Sequence, residues 1–150
     1  MKEKYDFFIA GRTRNKDKIL EICDLFDSVN KSYYCFLKNE KSFIQSDLDI
    51  KGNPDEMQDK FEKMELNSKE VRTIFEEDME GEKNSKNFLL VLPAGKSGHI
   101  EAGVAYGLGK KCYAIGEYDV TDSLYLIFDK IFANESELLE FLKKEKEEDL

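Results

Sequence analysis

Histidine, cysteine, long apolar runs and net positive charge are all scarce in this sequence. His99 is its one histidine, which excludes a multi-histidine metal site, and we interpret it as a loop or capping residue. Cys23, Cys35 and Cys112 are widely spaced without a CxxC pair, so they are predicted to be buried thiols in a reducing cytoplasm. No segment is long enough to span a bilayer, and the apolar stretch near the N-terminus is too short for a signal peptide.

The charge balance excludes a second group of functions. With 150 residues and a formal net charge of −9, the chain is predicted to form one domain, residues 1–150, that binds neither a nucleic acid polymer nor an anionic membrane.

Two common nucleotide-binding motifs are also missing. The stretch AGKSG lacks the GxxxxGK spacing of a phosphate-binding loop, and GVAYGLG is not the GxGxxG of a dinucleotide site.

Short apolar runs alternate with helical patterns along the chain. The runs have the composition of buried strands, and they are YDFFIA (5–10), SYYCFL (32–37), NFLLVL (87–92), KCYAIG (111–116) and KIFAN (130–134). Capping residues and helical periodicity predict helices that begin near Asn15, Asn53, Ser68, Ser97–His99, Ser123 and Ser136. The segment SFIQ (42–45) is ambiguous between a short strand and a flap over a site.

This alternation predicts the architecture and the position of a binding site. Strands that alternate with helices form a parallel α/β sheet covered on both faces. Such sheets bind ligands beyond the carboxyl ends of their strands, where the strand order reverses. We therefore expect the ends of the first and third runs, at Gly11 and Pro93, to be adjacent and to border the site.

Glu101 is a lone acid among small residues, shortly after the third run. If Ser97 to His99 lead into a helix, Glu101 lies in its first turn, where the helix dipole favours a negative charge by roughly 0.3–1 kcal/mol. A purely structural role would then suffice. The glycines that follow each cost roughly 1 kcal/mol inside a helix, which suggests that the sheet or a ligand packs closely there. Both interpretations stay open at this point.

Asp78 is the second unusual acid. It follows Val71, Ile74 and Phe75 on the apolar stripe of the helix that begins at Ser68, near a helix end where the dipole does not favour a carboxylate. A salt bridge or a hydrogen bond to a loop would explain it. Two carboxylates in one cleft would instead suit glycosyl transfer, in which one attacks the sugar carbon and the other orients or protonates the leaving group.

Basic and small residues follow both of the strand ends that should meet. Arginine side chains bind phosphate through two hydrogen bonds, and the amides at a helix N-terminus can hold an anion. The residues predicted to surround a substrate from these two segments are Gly11, Arg12, Arg14, Pro93, Gly95, Lys96, Ser97 and Gly98.

Three stretches resemble nucleoside 2-deoxyribosyltransferases and the related nucleoside 5′-monophosphate N-glycosidases. They are FFIAGRTRN (7–15), residues 74–111 from IFEED to GLGKK, and LYLIFDKIFANESELLEFL (124–142), in matching order over nearly the whole chain. The stretch LPAGKSGHIEAG is most similar to a little-characterised subgroup. The resemblance implies a five-stranded, flavodoxin-like sheet and a homodimer or larger homo-oligomer. For glycosyl transfer of this kind we expect no metal or other cofactor, because base protonation and oxocarbenium stabilisation already activate the electrophile.

The same resemblance implies roles for particular residues. Glu101 matches the catalytic nucleophile, and Asp78 matches an acid near the sugar and the leaving base. Phe8 falls where several members have a tyrosine that helps to position the nucleophile, so we include it among the substrate-binding residues. Arg14 falls near an arginine that the monophosphate-cleaving branch uses around its phosphate.

Three functions follow as hypotheses. The first is an enzyme that cleaves or transfers at the N-glycosidic bond of a nucleoside or nucleotide, with Glu101 as nucleophile. The second is a glycohydrolase that acts on an NAD-like dinucleotide, which also needs a carboxylate beside a ribose. The third is a non-catalytic nucleotide sensor of the same fold, consistent with phenylalanine at position 8.

Overall fold

The computed structural model describes residues 3–38 and 59–148, with side chains up to residue 145. The strands are β1 (Tyr5–Ala10), β2 (Tyr33–Cys35), β3 (Ser85–Val91), β4 (Lys111–Ile115) and β5 (Phe128–Phe132). The longer helices are α1 (Lys16–Ser28), α2 (Lys69–Lys83), α3 (Lys96–Gly107) and α4 (Glu135–Glu148). Among these described elements, no helix combines the length and the apolar character needed to cross a membrane.

The strands form one parallel sheet in the order β2-β1-β3-β4-β5. This confirms the predicted five-stranded, flavodoxin-like α/β fold. The chain crosses over between β1 and β3, which lie side by side with Ala10 opposite Leu90. The ends at Gly11 and Pro93 are therefore adjacent, as predicted, and the crevice beyond them is the expected ligand position in such a sheet.

Helices cover both faces of the sheet because successive strand side chains point to opposite sides. On one face, Phe7 and Ile9 of β1 share a buried cluster with residues of α1 and α4. On the other face, Phe8 of β1 and Leu90 of β3 form a second cluster with residues of α3, and α2 also contacts β1 and β3 on the sheet. All three cysteines are buried free thiols, as predicted.

The small residues of α3 have two different surroundings. A β-carbon at Gly98 would lie 2.7 Å from Cδ1 of Leu90, so this glycine lets the helix approach the sheet closely. Ala102 and Ala105 are also buried on that side. In contrast, a β-carbon added at Gly103 or Gly107 would meet no atom within 4 Å among the described residues. Close packing on the sheet therefore explains the small residues on the buried face of α3, but not the glycines at positions 103 and 107.

Several predicted boundaries differ from the observed ones. Helix α3 begins at Lys96, so Glu101 is its sixth residue, and the first turn contains no acid. Strand β2 has three residues and runs into a 3-10 turn at Phe36–Lys38. The predicted start of a helix at Asn53 lies outside the described residues; within them, residues 59–62 are helical. The segment 42–45, predicted as a short strand or a flap, also lies outside the described residues.

Candidate active site

A cavity of about 260 Å³ opens beyond the carboxyl ends of β1 and β3. It brings together most of the residues that the sequence predicted for the site. Ile74 of α2, Phe61 and Glu62 also line it, although the sequence did not predict them there. Its described lining consists of Gly11, Arg12, Thr13, Arg14, Phe36, Phe61, Glu62, Ile74, Asp78, Gly95, Lys96, Ser97, Gly98 and Glu101.

Glu101 extends from α3 into this cavity and is half-buried. Burial, followed by the negative charges of Asp78 and Glu82, raises the pKa of its carboxyl well above the ordinary value. The helix-dipole argument does not apply, because a residue one and a half turns from the helix start lies beyond the first turn to which that effect is confined. The surroundings therefore penalise the Glu101 charge, which is unusual for a residue with a merely structural role.

Asp78 reaches the cavity from α2 and is held by a tyrosine of the sheet. The hydroxyl of Tyr34, in β2, donates a hydrogen bond of 3.2 Å to Oδ1 of Asp78. Burial raises the pKa of Asp78 to about 7, and the charge of Glu77 adds to this, while the hydrogen bond from Tyr34 lowers it. At neutral pH, Asp78 is thus poised between its acid and base forms, which suits a group that transfers a proton.

Positive charge lies at the exposed parts of the same cavity. Arg12 and Arg14 follow β1, and Lys96 is the first residue of α3. Nη2 of Arg14 lies 3.3 Å from Oδ1 of Asp59, so this arginine is already in an ion pair. The first turn of α3 has no acidic side chain, which leaves its amides and dipole available to an anion.

Two of the predicted substrate-binding residues lie elsewhere. Phe8 is 2% exposed and stacks between Tyr34 and Phe88, at ring distances of 5.4 and 5.8 Å, so it supports the cavity from below and does not line it. Its side chain points to the α2–α3 face of the sheet, where the aromatic cluster excludes solvent. Pro93 is exposed and is not among the lining residues that the structure describes.

Glu82 is an acid that the sequence analysis missed. It lies on α2 one turn after Asp78 and is 0% exposed. Within the described part of the chain its carboxylate oxygens meet no donor in hydrogen-bond geometry, although the Ala105 backbone is close enough to lower its pKa. Burial, together with the charge of Asp78, raises its pKa to about 7 against the opposing effects of Lys110 and of the Ala105 backbone. The spacing of four residues between Asp78 and Glu82 could have identified Glu82, because it places both acids on the same face of α2.

His99 connects α3 to the region before β5. Its Nδ1 lies 2.7 Å from the carbonyl oxygen of Gly95, and its Nε2 lies 2.8 Å from the hydroxyl of Tyr125. Since a carbonyl can only accept, Nδ1 carries the proton of this pair. Over residues 3–38 and 59–148, no group of three or more histidine, cysteine or acidic side chains could hold a metal ion.

Gly81→Ala should lower the stability of the protein, although alanine normally stabilises a helix interior by about 0.8–1.0 kcal/mol over glycine. The new β-carbon would lie 2.8–2.9 Å from three ring atoms of Tyr34. That ring cannot move away easily, because it stacks on Phe8. We expect a loss of about 1–3 kcal/mol in the free energy of unfolding, measured with urea.

Gly103→Ala is the matched control, since its new β-carbon would meet nothing within 4 Å among the described residues. It should stabilise the protein by up to about 1 kcal/mol. Equal stabilisation by the two substitutions would show that Gly81 is not needed for the packing of Tyr34.

No protein-family model matches this sequence, and no curated protein matches it. Among solved structures, the chain is similar to a 2-deoxyribosyltransferase from the psychrotolerant bacterium Bacillus psychrosaccharolyticus, with a TM-score of 0.58 and 13% sequence identity. The similarity covers 89% of this chain and 89% of the other one. At this level of identity the two proteins share a fold, and the fold that this chain shares is that of a 2-deoxyribosyltransferase.

Proposed function

We propose that this protein cleaves or transfers at the N-glycosidic bond of a nucleoside or nucleotide. The observation that carries the proposal is the convergence of Glu101 and Asp78 on one cavity at the carboxyl ends of β1 and β3. Each acid comes from a different helix, and burial contributes to raising the pKa of both. The fold shared with a 2-deoxyribosyltransferase supports the same reaction class.

Glu101 acts as the nucleophile in this proposal. Its carboxylate oxygen forms a bond to the anomeric carbon while the bond from that carbon to the base nitrogen breaks, and the electron pair of the broken bond goes to the base. Burial and the neighbouring acids disfavour the free carboxylate, so this penalty is relieved as the positive oxocarbenium-like carbon develops beside it. Water or a second base then attacks the same carbon and releases Glu101.

Asp78 supplies the proton that the departing base takes up. A pKa of about 7 means that a large fraction of the Asp78 carboxyl is protonated at neutral pH. The hydrogen bond from Tyr34 fixes one oxygen, which leaves the other to face the leaving group. After the transfer, the Asp78 carboxylate can accept a proton from the attacking water, as general acid–base catalysis requires.

A phosphate-bearing nucleotide should bind more tightly than the matching nucleoside. Arg12, Arg14 and Lys96 and the α3 N-terminus place positive charge around the cavity of an otherwise acidic protein. We expect the monophosphate to bind about tenfold or more tightly at low salt, since one charged hydrogen bond contributes roughly 1.5–3 kcal/mol. The preference should shrink as ionic strength rises, which calorimetric titration at two salt concentrations would measure.

Arg12→Gln and Lys96→Gln test which side chains provide this preference. Both should weaken binding of the monophosphate while changing nucleoside binding little. Lys86→Gln is the matched control, because Lys86 is an exposed cation near the opposite end of β3. Equal affinity of the wild type for nucleoside and monophosphate at low salt would contradict phosphate recognition and favour a plain deoxyribosyl transfer.

A substrate panel tests the reaction itself. Nucleosides, their 5′-monophosphates and NAD are each incubated with and without an acceptor base, and free bases are separated by chromatography. Release of a base, or its exchange, is the expected result. Release of nicotinamide from NAD alone would favour the dinucleotide glycohydrolase, and tight nucleotide binding without turnover over days would favour the sensor.

The proposal includes a homo-oligomer and a cytoplasmic location. Ile100, Tyr106 and Leu108 lie on or just beyond α3 and are exposed, which supports contact with a second copy of the chain. The free, buried thiols support a reducing compartment.

A further inference from the structure

The start of α3 lacks a capping side chain. Gly95 occupies the capping position with an extended backbone, and a main-chain hydrogen bond of 3.3 Å runs from the amide of His99 to the carbonyl oxygen of Gly95. The amides that precede His99 have no partner within the helix. Because residues 95–98 all line the cavity, the direction of these peptide groups decides which contacts this wall can offer to a substrate.

The His99 side chain makes a second and shorter hydrogen bond to the same carbonyl. Its Nδ1 donates to the oxygen of Gly95 at 2.7 Å. The Gly95 carbonyl and the Lys96 amide belong to one planar trans peptide group, so the two point in opposite directions. The imidazole that holds the carbonyl therefore also fixes the direction of the Lys96 amide at the wall of the cavity.

Tyr125 holds the His99 ring at its other nitrogen. The Tyr125 hydroxyl lies 2.8 Å from Nε2, and because Nδ1 carries the ring proton, the hydroxyl donates and Nε2 accepts. The two rings are nearly parallel, with 9° between their planes and 5.7 Å between their centroids. Tyr125 belongs to the 3-10 turn Ser123–Ile127 and contacts the ring of Phe128, which is buried at the start of β5. These contacts join the buried start of β5 to the start of α3.

His99 points away from the cavity. It is half-buried and is not among the described residues that line the cavity. Residues two positions apart on a helix lie about 200° apart around its axis, so His99 holds α3 from the side opposite to Glu101, which extends into the cavity. His99 can therefore affect a substrate through the backbone that it holds, without touching it.

We propose that His99 is a positioning residue for phosphate recognition, which orients the peptide group between Gly95 and Lys96, and that Tyr125 fixes its tautomer. This inference rests on the proposed function, in which Arg12, Lys96 and the start of α3 surround the phosphate of a nucleotide. An amide that is already held in one direction binds an anion without reorganisation, whereas a peptide group that is free to rotate loses conformational freedom on binding. Loss of the His99 bond should therefore weaken binding of the phosphate and not of the sugar or base.

The first test needs no ligand, because His99 is the one histidine of the chain and its ring nitrogens can be observed without ambiguity. Nitrogen-15 NMR of the full chain at mildly alkaline pH should show the ring proton on Nδ1 in the wild type. Tyr125→Phe removes only the hydroxyl, so the preference for that tautomer should become weaker. A wild-type ring with its proton on Nε2 would overturn the proposal.

The second test is calorimetric binding of a nucleoside and of its 5′-monophosphate at low salt, to the wild type and to His99→Leu. The variant loses the bond to the Gly95 carbonyl, so the ratio of the two Kd values should fall about threefold to tenfold, as expected for one hydrogen bond. Nucleoside affinity should change little. A substitution that only disturbed the fold would weaken both ligands alike, so the ratio separates positioning from a structural role.

His99→Asn is the conservative variant, since its side-chain amide can donate to the Gly95 carbonyl from about the position of Nδ1 but is too short to reach Tyr125. It should keep most of the preference for the monophosphate. Tyr125→Phe provides the comparison if His99→Leu does not fold, and it should also lower the ratio. Tyr118→Phe is the matched control, because the Tyr118 ring contacts Tyr125 at 5.2 Å while its hydroxyl makes no hydrogen bond among the described residues. It should leave the tautomer and the ratio unchanged.

The outcomes separate this inference from the proposed function. If the wild type prefers the monophosphate, an unchanged ratio in His99→Leu would overturn the role of His99 alone, and so would an equal loss in Tyr118→Phe. A wild type that binds both ligands equally would overturn phosphate recognition and this inference with it. A preference that is lost in His99→Leu, in a protein that cleaves no compound of the substrate panel, would support the role of His99 and contradict the proposed reaction.

Discussion

Glu101→Gln should reduce turnover by about 10³-fold or more, because covalent nucleophiles show losses of that size when they are removed. Glutamine keeps the shape of the side chain, so the cavity should still form and still bind nucleotide. The measurement is the initial rate of base release on whichever compound of the substrate panel the wild type cleaves. Glu76→Gln, at an exposed position on α2, is the control and should retain full activity.

The stability of Glu101→Gln distinguishes catalysis from a structural role. A carboxyl whose pKa is higher in the folded state than in the unfolded chain lowers the stability of the protein as the pH rises above the unfolded-state pKa. Burial and the neighbouring acids raise the pKa of Glu101, so removing the acid should stabilise the protein above neutral pH and leave it unchanged in acid. An active Glu101→Gln enzyme would end the nucleophile assignment, whatever its stability.

Glu82→Gln should stabilise the protein by about 3 kcal/mol at pH 8.5, since each unit of pKa shift corresponds to about 1.4 kcal/mol. The pKa of Glu82 is raised from 4.5 to about 7 in the folded state. The folded state thus retains the proton over a range in which the unfolded chain releases it. Wild-type stability therefore falls as the pH rises from 4.5, and the loss attributable to Glu82 is complete above about 7.

Urea unfolding at pH 4, 7 and 8.5 measures this effect. At pH 4 the wild type and Glu82→Gln should have similar stability, because both states of the wild type hold the proton. The difference should appear at pH 7 and be largest at pH 8.5. Glu80→Gln should change stability little at any pH, since its side chain is exposed. A constant difference between wild type and Glu82→Gln across the range would show that packing, and not charge, causes it.

The sequence by itself determined the fold and the edge of the sheet at which the candidate site lies. Strand β1 has the predicted bounds, and Ile19, Ile22 and Phe26, which recur at helical spacing in the sequence, are all buried on α1. These features are local, because apolar periodicity reports which side of an element faces the core. The alternation of strands and helices then leaves few possible arrangements, and the observed one joins β1 to β3.

Only the tertiary structure decided which side chains around the candidate site are buried and what they contact. Glu82 is of a residue type that normally lies at the surface, yet the packing of α2 on the sheet, next to the Ala105 backbone of α3, buries it one helical turn from Asp78. The sequence predicts Phe8 at the substrate, but strand pleating and the stack on Tyr34 make it a support beneath the cavity. Burial and charge coupling depend on residues far apart in the chain, and local periodicity contains no information about their distances.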